Sequence, residues 1–477
     1  MKQHFINNAW VEPSSGASIV LLNPSTGEPL DSIARGNAAD IDRAVRAARA
    51  AYEGDWGRLS AAERGRLLHK LALRLLECTD LLAQLEADDC GKPMKQARAD
   101  AVAIARYFEF YAGACDKLHG ETIPYQNGYT VLTWREAQGV TGHVVPWNYP
   151  MQIFGRCVGA ALAAGNTCVV KPAEDACLSL LKVAELAAEV GFPAGAINLV
   201  TGFGHEAGNA LVSHPGVDHI SFTGSPAIGK VVVRAAAEHH TPVTLELGGK
   251  SPQIVFADAD FGMMVPTVVN AIVQNAGQTC SAGSRLLVQR SAYEEVVELV
   301  AQAFGRLRVG SAMMDLDCGP LIRRGQLDRV RQFLADAGRD GIPLAGQGRL
   351  DPAAPDGGFY QVPTLFRDVP PEHALAQQEI FGPVLSAMPF DDEDDAIRIA
   401  NGTEFGLLGS VWTRDGARQL RLARRIRAGQ VYINNYGAGG GIELPFGGVK
   451  ASGHGREKGF EALYGFTVLK TVAIRHD

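Results

Sequence analysis

The sequence predicts an α/β fold with two parallel-sheet regions and a small β arm. Three observations carry this. From Val140 onward strand-like and helix-like runs alternate: VTGHVV, GRCVGAALAAG, TCVVK, LSLLKVAELAAEVG, AINLVTG, AGNALV and HISFTG, then a helix from Pro226. After Gly249 a second alternation opens on QIVF. Between Glu121 and Glu136 the chain is polar and extended, and its C-terminal TVLKTVAI is strand-like. Alternation of this kind argues sheets covered by helices on both faces, with ligands at the carboxyl ends of strands.

In chain order, residues 1–35 hold short strands around the turn Asn23-Pro24-Ser25-Thr26-Gly27. Asp40 starts a helix with apolar residues at helical spacing, and Ser60 with Glu63 forms a capping box before a second. A third runs from about Met94 to about Lys117. Asn127-Gly128 predicts a two-residue hairpin turn. In the second region the helix Phe261 to Asn275 precedes strand RLLVQ, and helices follow around 292–307 and 323–337. Residues 346–363, with several Gly and Pro, predict a surface loop. The acidic run Asp391 to Asp395 opens a helix; SVWT, a helix from about Ala417 to Arg427, QVYIN and a glycine-rich loop close the region.

A chain of 477 residues exceeds one ordinary core, so two or three domains are expected. The net charge of -7, with no basic stripe, argues against nucleic-acid binding. The eight cysteines include no C-x-x-C pair, and no histidine cluster has zinc spacing, so neither a disulfide framework nor a metal is expected. The N-terminus carries no export or transit character, and no apolar run reaches spanning length; a cytoplasmic protein without membrane contact is the expectation.

Chemistry concentrates between Val243 and Val288. Glu246 ends a strand broken by Gly248-Gly249, and Cys280 sits in a small-residue turn thirty-four positions on. Singly, the acid could be solvated and the thiol a core filler. Paired, they suggest a base and a nucleophile. Gly202-Phe203-Gly204-His205-Glu206-Ala207 fits G-x-G-x-x-A between a strand and a helix, a weak dinucleotide signal when alone. Gly224 to Lys230 imitates a Walker A loop but has Val231 where Ser or Thr would hold magnesium. Either glycine set could be plain turn chemistry.

Seven motifs in sequence order then resemble the aldehyde dehydrogenase superfamily over nearly the whole chain: Pro146-Trp147-Asn148-Tyr149-Pro150, Lys171-Pro172-Ala173-Glu174, Phe222-Thr223-Gly224-Ser225, Leu245 to Lys250, Gly277-Gln278-Thr279-Cys280, Glu379 to Pro383, and Pro445-Phe446-Gly447-Gly448. The resemblance implies a Rossmann-like parallel-sheet cofactor domain (1–118 and 139–247), a second α/β catalytic domain (248–446) and a β oligomerisation arm (119–138 and 447–477). It implies oxidation of an aldehyde to the carboxylic acid. Cys280 would be the nucleophile, forming a thiohemiacetal and then a thioester, with Asn148 as oxyanion donor. Glu246 would activate water to hydrolyse the thioester. Relatives that pass the acyl group to coenzyme A generally lack this acid, so hydrolysis is favoured.

For the cofactor, the resemblance places Trp147, Lys171, Glu174, Gly202, Gly224, Ser225, Leu247, Glu379 and Phe381 around NAD. A carboxylate at Glu174 accepting from both ribose hydroxyls would repel a 2'-phosphate; NAD is expected, with NADP still open because Lys171 could aid a phosphate. Substrate contacts are expected from Tyr149, Arg156 and Phe446. Many relatives carry Trp-Lys where this chain has Arg156-Cys157, so the lysine's proton-relay role is in doubt here. Arg156 suggests a substrate with a carboxylate or hydroxyls. The glycine-rich loop Gly437 to Gly441 suggests a wide tunnel mouth, though a loop with no substrate role fits equally. A thiol esterase and a non-catalytic binding protein are the other classes. The family habit implies a homodimer or homotetramer joined through the arm.

Overall fold

The computed structural model describes residues 2–437 and 441–476. Its largest sheet has eight strands, in the spatial order Ala9–Val11, His4–Ile6, Ile197–Leu199, Thr167–Pro172, Val140–Val145, His219–Thr223, Val243–Glu246 and Gly453–His454. The strands from Ile197–Leu199 across to Val243–Glu246 are mutually parallel, and those flanking them are antiparallel. Thr167–Pro172 and His219–Thr223 are buried along their whole length, as parallel strands covered on both faces must be. From Val140–Val145 the chain steps outward to Thr167–Pro172 and Ile197–Leu199, then returns to pair His219–Thr223 on the other side. The carboxyl ends of Val140–Val145 and His219–Thr223 therefore flank a topological switch point, where a crevice opens.

The second sheet has seven strands, ordered Leu344–Gln347, Thr364–Phe366, Val384–Phe390, Arg285–Gln289, Pro252–Val255, Leu408–Trp412 and Gln430–Ile433. All its pairings are parallel except the edge strand Leu344–Gln347. Only Leu247 to Ser251 separate the end of Val243–Glu246 from the start of Pro252–Val255. The carboxyl end of the first sheet thus feeds the amino end of the second, and Cys280, just ahead of Arg285–Gln289, arrives at that junction.

The arm is a three-stranded sheet in which Thr467–Arg475 pairs antiparallel with Tyr129–Ala137 over nine positions, with Thr122–Ile123 on the other edge. The two extended segments pair within one chain. Asn127-Gly128 forms the expected turn, with Tyr129 N–H donating to the Gln126 carbonyl at 3.3 Å and Gly128 left-handed (φ 81°), while the ladder to Thr122–Ile123 lies further out, Ile123 facing Val131. Residues 346–363 are not all loop, since they include the end of Leu344–Gln347 and the strand Arg349–Leu350. The first helix is Ala38–Glu53, and Asp40 is the acid of a capping box whose cap is Asn37. The helix from Met94 ends at Ala112, before the expected Lys117. Part of the 447–477 segment lies away from the arm: Gly453–His454 extends the first sheet beside Glu246, and Ala462, Leu463 and Phe466 join the core around helix Pro150–Ala163. Residues 438–440 of the glycine-rich loop lie outside the described residues. Among the described residues no helix is long and apolar enough to cross a membrane, and no cluster of His, Cys, Asp or Glu is placed to hold a metal ion.

Candidate active site

The Cys280 turn is built from strained backbone held by amides. Asn275, Ala276 and Gly277 are successively left-handed (φ 46°, 52° and 73°). At Gly277 a Cβ would fall 2.2 Å from the Gly382 carbonyl oxygen, so only glycine fits. The Asn275 side chain donates to the Asn148 carbonyl at 2.7 Å, and Asn148 Nδ2 donates to the Gln278 carbonyl at 2.9 Å. Ile322 N–H donates to Gln278 Oε1 at 2.9 Å, tying the turn to a further loop. This network fixes Asn148, itself 4% exposed, against the nucleophile turn. Burial pushes the half-buried Cys280 thiol up to about 12, with Glu379 and Glu246 adding to the shift and Arg156 opposing it. In this state the sulfur is a thiol and its deprotonation needs a base.

Glu246 ends its strand 1% exposed, and neither carboxyl oxygen has a hydrogen-bond partner among the described residues. Burial, reinforced by Glu457, holds its pKa well above the usual carboxylate range, while Arg156 and Arg456 pull the other way. A Cβ on Gly447 would stand 2.7 Å from Glu246 Oε1, so that glycine makes room for the acid. Behind it lies a pair that the motifs did not announce: Arg156 and Glu457 form a buried ion pair, their side chains 8% and 0% exposed. Ser221 Oγ donates to Glu457 Oε1 at 2.8 Å, and Arg156 Nη2 donates to Thr223 Oγ1 at 3.3 Å. Burial alone would lower the Arg156 pKa, but Glu457 and Glu246 outweigh it and the guanidinium stays charged.

Two cavities meet at Asn148 and Cys280, which line both. The larger, of about 1130 Å³, runs along the switch-point crevice. Trp147, Gly224, Ser225, Leu247, Glu379 and Phe381 are on its wall. Ser225 caps helix Pro226–Ala237, with Oγ accepting from Ile228 N–H at 3.4 Å and Pro226 in the first turn. Glu379 Oε1 accepts from Gly249 N–H at 3.0 Å, and burial raises the Glu379 pKa to about 7 against the pull of Gly249 N–H, Lys250 and Arg329. Phe381 is left-handed (φ 60°) and meets Trp147 edge-on at 5.3 Å between ring centres.

Other expected cofactor residues lie off this wall. Lys171 and Glu174 pair at 2.9 Å at the end of the neighbouring strand, where Lys171 is in register with Val144. Gly202 backs onto Gly36, whose carbonyl oxygen would be 2.9 Å from an added Cβ, so its glycine is explained by chain packing. Glu246 lines neither cavity.

The second cavity, of about 660 Å³, holds Tyr149, Arg156 and Phe446 on its wall. Tyr149 Oη accepts from Thr279 Oγ1 at 2.9 Å, and its ring lies 3.9 Å from the buried Lys92 ammonium. Arg156 stacks over Phe446 at 4.9 Å. The expectation that Arg156 receives a substrate carboxylate does not survive its pairing: a guanidinium already neutralised by a buried acid is not an open anion site. Glu457 escaped the sequence reading because it stands in Gly455-Arg456-Glu457-Lys458-Gly459, where flanking charges suggest a solvated turn. The glycines on both sides were the available signal.

Comparison with known proteins agrees with this geometry. The family model described as the aldehyde dehydrogenase family matches residues 10–472. Hydroxyisobutyraldehyde dehydrogenase of Mycolicibacterium austroafricanum is 42% identical over 98% of this chain and 93% of its own. A crystal structure from Burkholderia cenocepacia, described as a candidate aldehyde dehydrogenase, is 68% identical, covers both chains fully and superposes with a TM-score of 0.99. The NAD+ complex of aldehyde dehydrogenase from Bacillus cereus is 40% identical, with 100% of this chain and 97% of that one covered and a TM-score of 0.97. The chain, with its thiol, amide and buried acid at the junction of two sheets, belongs to the aldehyde dehydrogenase family, oxidoreductases acting on aldehydes.

Proposed function

We propose that the protein oxidises an aldehyde to the free carboxylic acid, with NAD as hydride acceptor and Cys280 as covalent carrier. The observation that carries this is the meeting of the two cavities at Asn148 and Cys280: one side admits a cofactor, the other a substrate. The larger cavity fits a dinucleotide. A capped helix N-terminus at Ser225 suits the pyrophosphate, Glu379 suits a ribose, and Trp147 and Phe381 flank the end nearest Cys280. The Bacillus cereus relative is solved with NAD+, in keeping with that fit. NAD rather than NADP rests on Glu174 as a ribose acceptor, which stands one strand away from the wall.

In this reading the Cys280 thiolate attacks the carbonyl carbon; a C–S bond forms and negative charge collects on the former carbonyl oxygen. Asn148 Nδ2, with the Cys280 N–H, receives that charge as preorganised donors. Bound NAD supplies the acceptor for the hydride that leaves the same carbon. Glu246 then takes a proton from water as the water displaces sulfur from the thioester. Burial holds the Glu246 pKa above the usual carboxylate range, which suits a base near neutrality. The arm supports a homo-oligomer, since Trp134, Val468, Leu469 and Ile474 are exposed apolar residues on its strands.

Absorbance of NADH after mixing enzyme, NAD and an aldehyde tests the reading. Cys280→Ala should abolish the signal, and Glu246→Gln should leave a burst followed by slow turnover; full steady-state activity in either variant refutes it. Sedimentation as a monomer at micromolar concentration would refute the oligomer.

A further inference from the structure

On the wall of the second cavity Asp100 accepts from Lys92 and from Gln152, Glu443 accepts from Arg106, and Arg156 is paired with Glu457. A neutral pair on the same wall is held differently. Thr279 and Tyr149 are the sequence neighbours of Cys280 and Asn148, and all four line this cavity. The two hydroxyls meet at 2.9 Å, and among the described residues neither has a second hydrogen-bond partner. Two hydroxyl hydrogens share one bond, so one of them is left without an acceptor among those residues. The Tyr149 ring is fixed at its end by Thr279 and on its face by Lys92, whose ammonium lies 3.9 Å from the ring centre. Lys92 is fully buried between Asp100 and Glu86, the latter at 2.7 Å. A buried ionic cluster adds little to stability, and this one holds a cation against a phenol beside the nucleophile turn. Burial pushes the Tyr149 pKa up against the pull of Lys92, so the phenol keeps its proton.

We propose that the Tyr149–Thr279 hydroxyl pair sets substrate specificity by donating a hydrogen bond to a neutral oxygen carried by the aldehyde close to its carbonyl, as in a 2-hydroxy or 3-hydroxy aldehyde. The inference rests on the reading of Cys280 as nucleophile. In that reading the carbonyl oxygen is met by Asn148 and the Cys280 N–H, so the spare hydroxyl hydrogen serves a different oxygen. With the pair and Cys280 on one wall, the first carbons beyond the carbonyl are those that pass the hydroxyls. A hydroxyl there accepts the spare hydrogen; a methyl in its place displaces water and leaves the donor unpaired. Gln96, Gln152 and Gln274 continue the neutral, hydrogen-bonding character along the wall. A hydroxyl, which both donates and accepts, matches such a lining better than an alkyl chain does.

The test measures kcat/KM, with full-length enzyme and NAD, for 2-hydroxypropanal against 2-methylpropanal and for 3-hydroxypropanal against butanal. In each pair a hydroxyl stands in for a methyl. The wild type should favour the hydroxylated member of at least one pair by about tenfold or more, the worth of a hydrogen bond that the methyl cannot make. Combining Tyr149→Phe with Thr279→Val removes both hydroxyls at nearly constant shape and should bring that ratio close to one; losses common to both aldehydes cancel in it. A wild type without preference in either pair overturns the inference whether or not the double variant folds. An unchanged ratio in the folded double variant overturns it too, and both results leave the aldehyde chemistry standing. No NADH from any of these aldehydes would overturn that chemistry as well.

Discussion

The buried pair Arg156–Glu457 makes a quantitative prediction about stability. The perturbation is a double-mutant cycle of Arg156→Met, Glu457→Leu and both together. Glu457→Leu leaves a guanidinium with an 8% exposed side chain to the Thr223 hydroxyl, the Phe446 face and the field of Glu246, and removing one partner of a buried pair costs about 3–5 kcal/mol. Arg156→Met strands the Glu457 carboxylate, which keeps Ser221 Oγ at 2.8 Å, so its cost sits near the lower end, about 3 kcal/mol. The double variant removes both charges and leaves two hydroxyls, those of Ser221 and Thr223, to find new partners, for about 1–3 kcal/mol. The double should therefore be more stable than either single, with a coupling of about 3 kcal/mol or more. Urea unfolding at pH 7, followed by tryptophan fluorescence, measures it. Single-variant effects that add within about 0.5 kcal/mol would refute the pairing.

Asn148→Ala should lower kcat by about 10²–10³ through loss of the oxyanion donor, with loss of the hydrogen bond to the Gln278 carbonyl beside it, while Cys280 remains open to alkylation. Glu379 has its pKa raised to about 7, so it is a carboxylate above that pH and a neutral acid below it. If its carboxylate accepts from a ribose, KM for NAD should rise as pH falls through about 7. Glu379→Gln should raise KM and flatten that dependence, and a wild-type KM constant from pH 6 to 8 would count against the role. Gly248→Ala would set a Cβ 2.2 Å from Glu379 Oε2, so it should raise KM for NAD by displacing the same acid. For Glu246 the folded pKa lies above the unfolded one, so its contribution to stability is fullest below the unfolded pKa and declines as pH rises toward the folded pKa. Glu246→Gln, which cannot ionise, should gain stability relative to wild type as pH rises above the unfolded carboxylate range, and a pH-independent difference in urea midpoint would contradict the raised pKa.

How far the sequence spoke depended on whether a residue's role is local. Glu246 at a glycine-broken strand end, Asn148 after its strand, and Cys280 in a small-residue turn carry their context within a few neighbours, so motif and structure agree on where they stand. The alternation that predicted parallel sheets likewise lives in contiguous buried runs such as Thr167–Pro172. What stayed hidden depends on distant approach. Glu457 is buried only because Arg156, Ser221 and the backbone of Phe446 close around it from three other parts of the chain. The Asn127-Gly128 pair marked a turn that the structure contains, whereas the long pairing of that ribbon with Thr467–Arg475 over nine positions had no local signal. Strand Leu344–Gln347 contains Gly and Gln and pairs through a register shift, so its alternation is too weak to detect.

Arg156 shows why a single departure from the family pattern changes the chemistry of the whole site. A lysine at position 157 would have offered an exchangeable proton; Cys157 is instead a buried thiol whose pKa is pushed up by burial and by Glu457. Arginine cannot relay a proton at any working pH, because its guanidinium does not deprotonate. Its fixed charge acts on three groups at once: it holds Glu457, and it opposes the raised pKa of both Cys280 and Glu246. Glu246 also raises the Cys280 pKa, since a nearby anion disfavours the thiolate. The permanent cation of Arg156 favours the anionic form of both Cys280 and Glu246, and it does so without being consumed in a proton transfer.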